Sequence, residues 1–221
     1  MQIDHRSDIL GLIDIQPTFM PGGELPVAGG DTIVPVVNRL MTLFDHAFAT
    51  QDWHPANHAS FASMHPGRQP YDTIEMPYGS QVLWPDHAIA GTASAAIHPA
   101  IDQTRIEVIV RKGFRPTLDS YSGFFENDRQ TPTGLEAWLR QRGFSRIFLC
   151  GLATDFCVAW SAEDATRLGF SVTVIEDACR GIGLPTSDGR TTTQAARERL
   201  LGLGVRFIDS GALPITVRQA Q

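Results

Sequence analysis

SRIFLCGLATDFCVAWSAEDATRLGFSVTVIED, residues 145–177, is the stretch whose reading decides the fold. SRIFLCGL (145–152) is a short apolar run without polar alternation, as expected of a strand buried on both faces. Residues 155–168 change to a helical period, and FSVTVIED (170–177) is again a buried-strand run. Comparable runs lie outside this unit at DILGLIDI (8–15), DHAFATQDWH (45–54), RIEVIVRK (105–112) and VRFIDS (205–210). Helix-period segments fall at roughly 31–44, 134–142 and 189–203. Thr133 with Glu136 reads as a capping box, and Thr154 stands where an N-cap belongs. Regular alternation of strand and helix predicts an α/β fold of three layers, with a six-stranded, mostly parallel, Rossmann-like sheet between helices.

The chain of 221 residues reads as a single domain, 1–221. Residues 54–104 break its rhythm. Pro55, Pro66, Pro70, Pro77, Pro85 and Pro99 crowd a segment too long for an ordinary crossover, so it is expected to be a functional insertion. The Gly-rich GGELPVAGG (22–30) is not a GxGxxG phosphate loop. At 43% apolar and 19% charged residues the composition excludes intrinsic disorder. A formal charge of −6 without a Lys/Arg run argues against nucleic acid as a partner. No apolar stretch approaches the roughly 20 residues of a membrane helix, so no membrane partner is expected. MQIDHRSDIL does not read as a secretory signal, and a cytoplasmic location is the expectation. Cys150, Cys157 and Cys179 are too few, and odd in number, for a disulfide framework.

In an open parallel sheet, ligands bind beyond the carboxyl ends of the strands. Asp14, Asp52, His54 and Lys112 fall there, and the fourth strand runs into GLATDFCV, which carries Cys157 into a helix N-terminus. Unpaired N–H groups at that position favour a thiolate, making Cys157 a candidate nucleophile, although free cysteines are more often inert core residues. A carboxylate beside an ammonium, Asp14 with Lys112, can pass a proton from a thiol to a leaving amine, and either residue alone would read as a structural ion pair. Asp52 and His54 at i and i+2, with His87 from WPDH, form a set of metal ligands that leaves positions open. His58 is a fourth ligand or, more simply, a solvated surface residue, and His5, His46, His65 and His98 carry no signal. Phe19, Trp53, Trp84 and Tyr121 are candidates to clamp a flat ring, with core packing as the alternative. Cys179 could line the same pocket.

The motifs TQDWHPANHASF (50–61), WPDH (84–87), RKG (111–113), DSYSGFF (119–125), GLATDFCV (151–158) and DACRG (177–181) resemble, in this order, those of the nicotinamidase/pyrazinamidase group of isochorismatase-like cysteine hydrolases. The likeness runs from about Ile9 to Asp209. It implies an isochorismatase-like fold and a metal-dependent amidohydrolase of pyridine nucleotide salvage. Asp14, Lys112 and Cys157 would then be the catalytic triad, and the backbone N–H groups of Ala153 and Cys157 the oxyanion hole, with a cis Leu152–Ala153 peptide. Asp52, His54 and His87 would hold one divalent metal, zinc before iron or manganese, and Phe19, Trp84 and Tyr121 would line the ring pocket. The substrates implied are nicotinamide and pyrazinamide; assembly as a homo-oligomer stays open. One departure stands out: the usual opening DxQNDF reads DIQPTF here, with Pro17 and Thr18 in place of Asn and Asp. Another small-amide or carbamoyl hydrolase with the same triad, a metallohydrolase with a structural cysteine, and a small-molecule binding module remain as competing functions.

Overall fold

All six apolar runs become strands of one sheet. The computed structural model describes residues 2–213. The sheet is formed by β1 (Asp8–Ile13), β2 (Ala47–Asp52), β5 (Val108–Lys112), β6 (Arg146–Leu152), β7 (Ser171–Arg180) and β8 (Arg206–Ile208). Their order is β5-β2-β1-β6-β7-β8, and every neighbouring pair is parallel. Every residue of β1 and β2 is buried, which explains why the apolar part of each strand runs without polar alternation. Gly11 in β1 lets the sheet pack on itself: a Cβ there would lie 2.5 Å from the Phe48 ring.

The helices are α1 (Val34–Met41), α2 (Leu135–Gln141), α3 (Ala159–Arg167) and α4 (Thr192–Gly202). Helix α1 buries Val34, Val37, Leu40 and Met41, one apolar stripe, whereas α3 buries Ala159, Ala162 and Ala165, small residues that allow close approach to the sheet. The chain moves one way from β1 to β2 and the other way from β6 through β7 to β8. Right-handed crossovers therefore set α1 on one face and α2, α3 and α4 on the other. The reversal falls between β1 and β6, and the crevice at their carboxyl ends is the expected ligand site.

Two expected caps are not formed. Helix α2 starts after Gly134; the Thr133 hydroxyl accepts the Leu135 N–H at 3.2 Å while donating toward the carbonyls of Gly123 and Phe124, but Glu136 pairs with Arg140 and does not close the box. Thr154 is the first residue of a π-helical turn, Thr154–Val158, and not its cap. The capping box belongs instead to α4, where Thr191 and Gln194 exchange hydrogen bonds. Segment 54–104 contains a two-stranded antiparallel hairpin, β3 (Thr73–Met76) with β4 (Gly79–Val82), and two isolated bridges, His54 to Ile89 and Phe61 to Trp84. Among the described residues no helix is long and apolar enough to cross a membrane.

Candidate active site

Asp14 is the first residue after β1, Lys112 the last of β5, and Cys157 lies in the π-helical turn directly after β6. Three strand ends thus deliver three side chains to one point. Lys112 is fully buried; its Nζ lies 2.8 Å from Asp14 Oδ2, 2.5 Å from Asp52 Oδ1, 2.8 Å from the Ser120 carbonyl and 3.4 Å from Cys157 Sγ. Asp14 has a left-handed backbone (φ 46°), and its Oδ1 accepts the Thr50 hydroxyl at 2.6 Å. Its Oδ2 meets Lys112 as an ion pair but accepts no well-directed hydrogen bond, so one buried carboxylate oxygen keeps acceptor capacity beside the thiol. Asp14, Asp52 and Cys157 each bring an atom within 4.8 Å of the others. The peptide between Leu152 and Ala153 is cis.

The charges explain one another. Burial raises the Asp14 carboxyl, and the Lys112 ammonium only partly offsets this. Burial also drives the Cys157 thiol far above its ordinary range against the pull of Lys112, so sulfur rests protonated. Lys112 itself would be depressed by burial, but Asp14 and Asp52 more than reverse this and keep it charged. A protonated thiol next to a carboxylate of raised basicity is the arrangement needed for proton transfer during attack.

The second constellation shares this floor. His54 Nδ1 is hydrogen-bonded to the Gly113 carbonyl and His87 Nδ1 to the Pro85 carbonyl, each at 2.8 Å. A carbonyl only accepts, so each Nδ1 carries a proton, and Nε2 is the ring nitrogen each imidazole turns toward Asp52. Both Nε2 atoms face Asp52 Oδ2, at 3.4 Å for His54 and 3.6 Å for His87, and the Asp52 carboxylate holds His54 above its ordinary value against burial. Asp52 burial would raise its carboxyl, yet Lys112 and His54 hold it well below the usual range. Two oriented imidazoles and an ionised carboxylate, all buried, fit a divalent cation by donor type, tautomer and charge.

Gly113 makes this possible: at φ 65° its missing Cβ would lie 2.4 Å from His54 Cε1. Gly113→Ala is therefore expected to displace the His54 ring and weaken zinc binding about tenfold or more, as read by chelator competition.

His58 departs from expectation. It is fully buried, stacked on His54 at 4.2 Å between ring centroids, with Nδ1 2.7 Å from the Ser60 hydroxyl. Burial and the neighbouring His54 push it down to about 4, so it stays neutral. The Pro55–Asn57 turn folds it back under the site, which composition alone does not reveal. Trp53 also departs from expectation: Arg111 stacks 3.9 Å over its ring, and it does not line the cavity. Cys150 is inert within β6, and Cys179 pairs with Gly151 in the sheet, away from the cavity wall.

Cys157 and the Asp52, His54 and His87 set line one cavity, with Asp14 and Lys112 buried behind them. Its walls include Phe19, Trp84 and Tyr121, as the sequence pointed to, along with Leu25, Phe156 and Ile182, which sequence reasoning missed. Trp84 Nε1 donates to Tyr121 Oη at 3.0 Å, so two walls brace each other. Asp119, also missed although it opens the DSYSGFF motif, lines the cavity and accepts the Gln81 side chain at 2.8 Å. Asp155, within GLATDFCV, was missed as well. Its carboxylate takes the N–H groups of Ile182 and Gly183 at 2.9 and 2.8 Å and the Thr192 hydroxyl at 2.5 Å, tying the cavity rim to the nucleophile turn.

A buried thiol, carboxylate and ammonium thus meet beside the switch point of a parallel sheet, the arrangement of groups that a cysteine hydrolase would need. The chain belongs to the isochorismatase domain family, which it matches over residues 9–201. It is 50% identical over 199 residues to the nicotinamidase of Acinetobacter baylyi, covering 90% of this chain and 91% of that protein. It is also similar to the solved structure of a nicotinamidase pyrazinamidase of Acinetobacter baumanii, with a TM-score of 0.89, 46% identity, and 94% and 98% of the two chains covered. The pyrazinamidase of Pyrococcus horikoshii, solved in complex with zinc, matches with a TM-score of 0.74 at 32% identity over 92% and 99% of the two chains.

Proposed function

We propose that the protein is a nicotinamidase, converting nicotinamide to nicotinate and ammonia, and pyrazinamide to pyrazinoate, in cytoplasmic pyridine nucleotide salvage. The observation that carries the reading is that one aromatic-walled cavity is lined by Cys157 together with Asp52, His54 and His87, with Lys112 and Asp14 buried directly behind them. Named relatives at high identity and coverage support it.

In this reading Phe19, Trp84 and Tyr121 hold the flat ring. Asp14 takes the thiol proton as Cys157 Sγ attacks the carboxamide carbon. The charged oxygen is received by the backbone N–H groups of Ala153 and Cys157, an arrangement in which each donor is typically worth about a hundred- to thousandfold in rate. Asp14 returns the proton to the nitrogen as the C–N bond breaks, ammonia leaves, and a thioester remains. Asp14 then deprotonates a water that attacks the thioester, freeing the acid and restoring the thiol. Throughout, Lys112 keeps its positive charge and balances Asp14 and Asp52. Asp52, His54 and His87 would hold the metal, zinc before iron or manganese, whose contribution when bound is to fix the ring nitrogen and so aim the carboxamide at sulfur.

The experiment is to incubate the protein with nicotinamide before and after stripping with a chelator, following nicotinate and ammonia. We expect turnover in the loaded protein. Stripping should raise KM for nicotinamide strongly, while the rate at which iodoacetamide alkylates Cys157 changes far less. Absence of nicotinate alongside ammonia release from other small amides would replace this reading by a sister hydrolase activity.

A further inference from the structure

His54 and His87 are separated by more than thirty residues of insertion, yet their Nε2 atoms must stay in register to within a few tenths of an ångström to share one cation. What holds them is Ala88. Its carbonyl accepts the His54 N–H at 3.0 Å, and the chain continues in register with the Ala90 N–H donating to the His54 carbonyl at 2.8 Å. Ala88 is fully buried and, at φ 46°, lies in the left-handed region that an alanine occupies only when its surroundings impose it. The remaining polar group of Ala88, its N–H, donates to the Thr18 hydroxyl at 3.1 Å.

We infer that Thr18 is a positioning residue for the imidazole pair: by accepting the Ala88 N–H it fixes the backbone that joins His87 to His54. The inference rests on the metal reading of Asp52, His54 and His87 and goes beyond it. Thr18 is itself immobile, being fully buried, with its N–H on the Ser94 carbonyl and its carbonyl on the Leu25 N–H, each at 3.0 Å. The next residue, Phe19, lies edge-on to the His87 ring at 5.6 Å between centroids, so one short turn, Pro17–Phe19, touches both the ring wall and the ligand segment. The Pro17-Thr18 pair that departs from the usual opening motif is thus assigned a task in this chain.

Thr18→Val keeps the shape and deletes the acceptor; Thr18→Ser keeps the acceptor. Metal-free protein is titrated with zinc against a competing chelator, with Cys157 alkylation by iodoacetamide as the second readout. We expect Thr18→Val to weaken zinc binding about ten- to hundredfold, the range usual for groups that orient metal ligands. Thr18→Ser should stay within a few-fold of the unaltered protein, and the alkylation rate should be the same in all three. Equal zinc affinity in Thr18→Val and the unaltered protein would overturn the inference, as would a loss in Thr18→Ser as large as in Thr18→Val. If Thr18→Val does not fold, Thr18→Ala against Thr18→Ser makes the same comparison. Should the unaltered protein itself bind no zinc, the metal reading fails, a result distinct from the failure of Thr18 alone.

Discussion

Cys157→Ala is expected to abolish nicotinamide hydrolysis, lowering kcat by about 10⁴-fold or more, the scale seen when an enzyme loses its nucleophile. Zinc binding should persist, because Asp52, His54 and His87 hold their positions through Lys112, Gly113 and Pro85. The thiol is a small buried side chain, so its removal leaves little void and the melting temperature should move only slightly. The paired measurement, turnover by ammonia release and zinc by chelator competition, separates two chemistries. Retention of more than a few per cent of kcat would mean that water, and not sulfur, attacks the amide, and that Cys157 is structural. Loss of turnover together with loss of zinc would mean that the two constellations are not arranged as described.

Lys112→Met should destabilise the protein more than either Cys157→Ala or Gly113→Ala. The ammonium lies within 2.8 Å of two buried carboxylates, and methionine fills its volume without its charge. Deleting one partner of a buried ion pair typically costs about 3–5 kcal/mol, because the other charge stays buried and uncompensated. With two carboxylates left behind, the upper end of that range is expected in metal-free protein at neutral pH. The sign with pH follows from linkage. In the unaltered protein the depressed Asp52 contributes stability above its unfolded value that is lost as pH falls. In the variant, Asp14 and Asp52 are raised by burial and repel each other, so their stability is greatest below the unfolded carboxylate range and declines as pH rises through their folded values. The difference between the two proteins should therefore shrink on acidification. Urea unfolding at several pH values checks this; a gap independent of pH would show that packing, not charge, is what Lys112 supplies. Turnover by Lys112→Met should be lost as well, since without the ammonium Asp14 rests protonated and cannot act as base.

Much of this arrangement is legible in the chain alone. Strands buried on both faces leave apolar runs that need no periodicity, so β1, β2, β6 and β7 can be placed within a few residues. Asp14, Lys112 and Cys157 can be singled out because the carboxyl ends of parallel strands are where polar residues have work to do, and the structure does bring them together. What stays hidden depends on tertiary folding. Thr133 and Glu136 have the spacing of a capping box, and the Thr133 hydroxyl does accept the Leu135 N–H, but Glu136 turns to Arg140 and Gly134 takes the cap position. His58 looks like a surface residue because nothing in PANH announces that the turn folds inward. Asp119 and Asp155 act by accepting backbone and amide donors from segments distant in sequence, which no local pattern encodes. In the hairpin β3–β4, Thr73 and Glu75 of β3 do alternate with half-buried Ile74 and Met76, but four residues per strand are too short for that alternation to stand out.

Asp52 turns one oxygen to Lys112 and the other to His54 and His87. A consequence for engineering follows. Variants of the ring-nitrogen side and of the sulfur side will show epistasis through this carboxyl, and libraries that randomise one side while freezing the other will undersample the productive combinations. Replacing the imidazoles would leave Asp52 still paired with Lys112, so the two sides can be redesigned separately only while that carboxyl is kept.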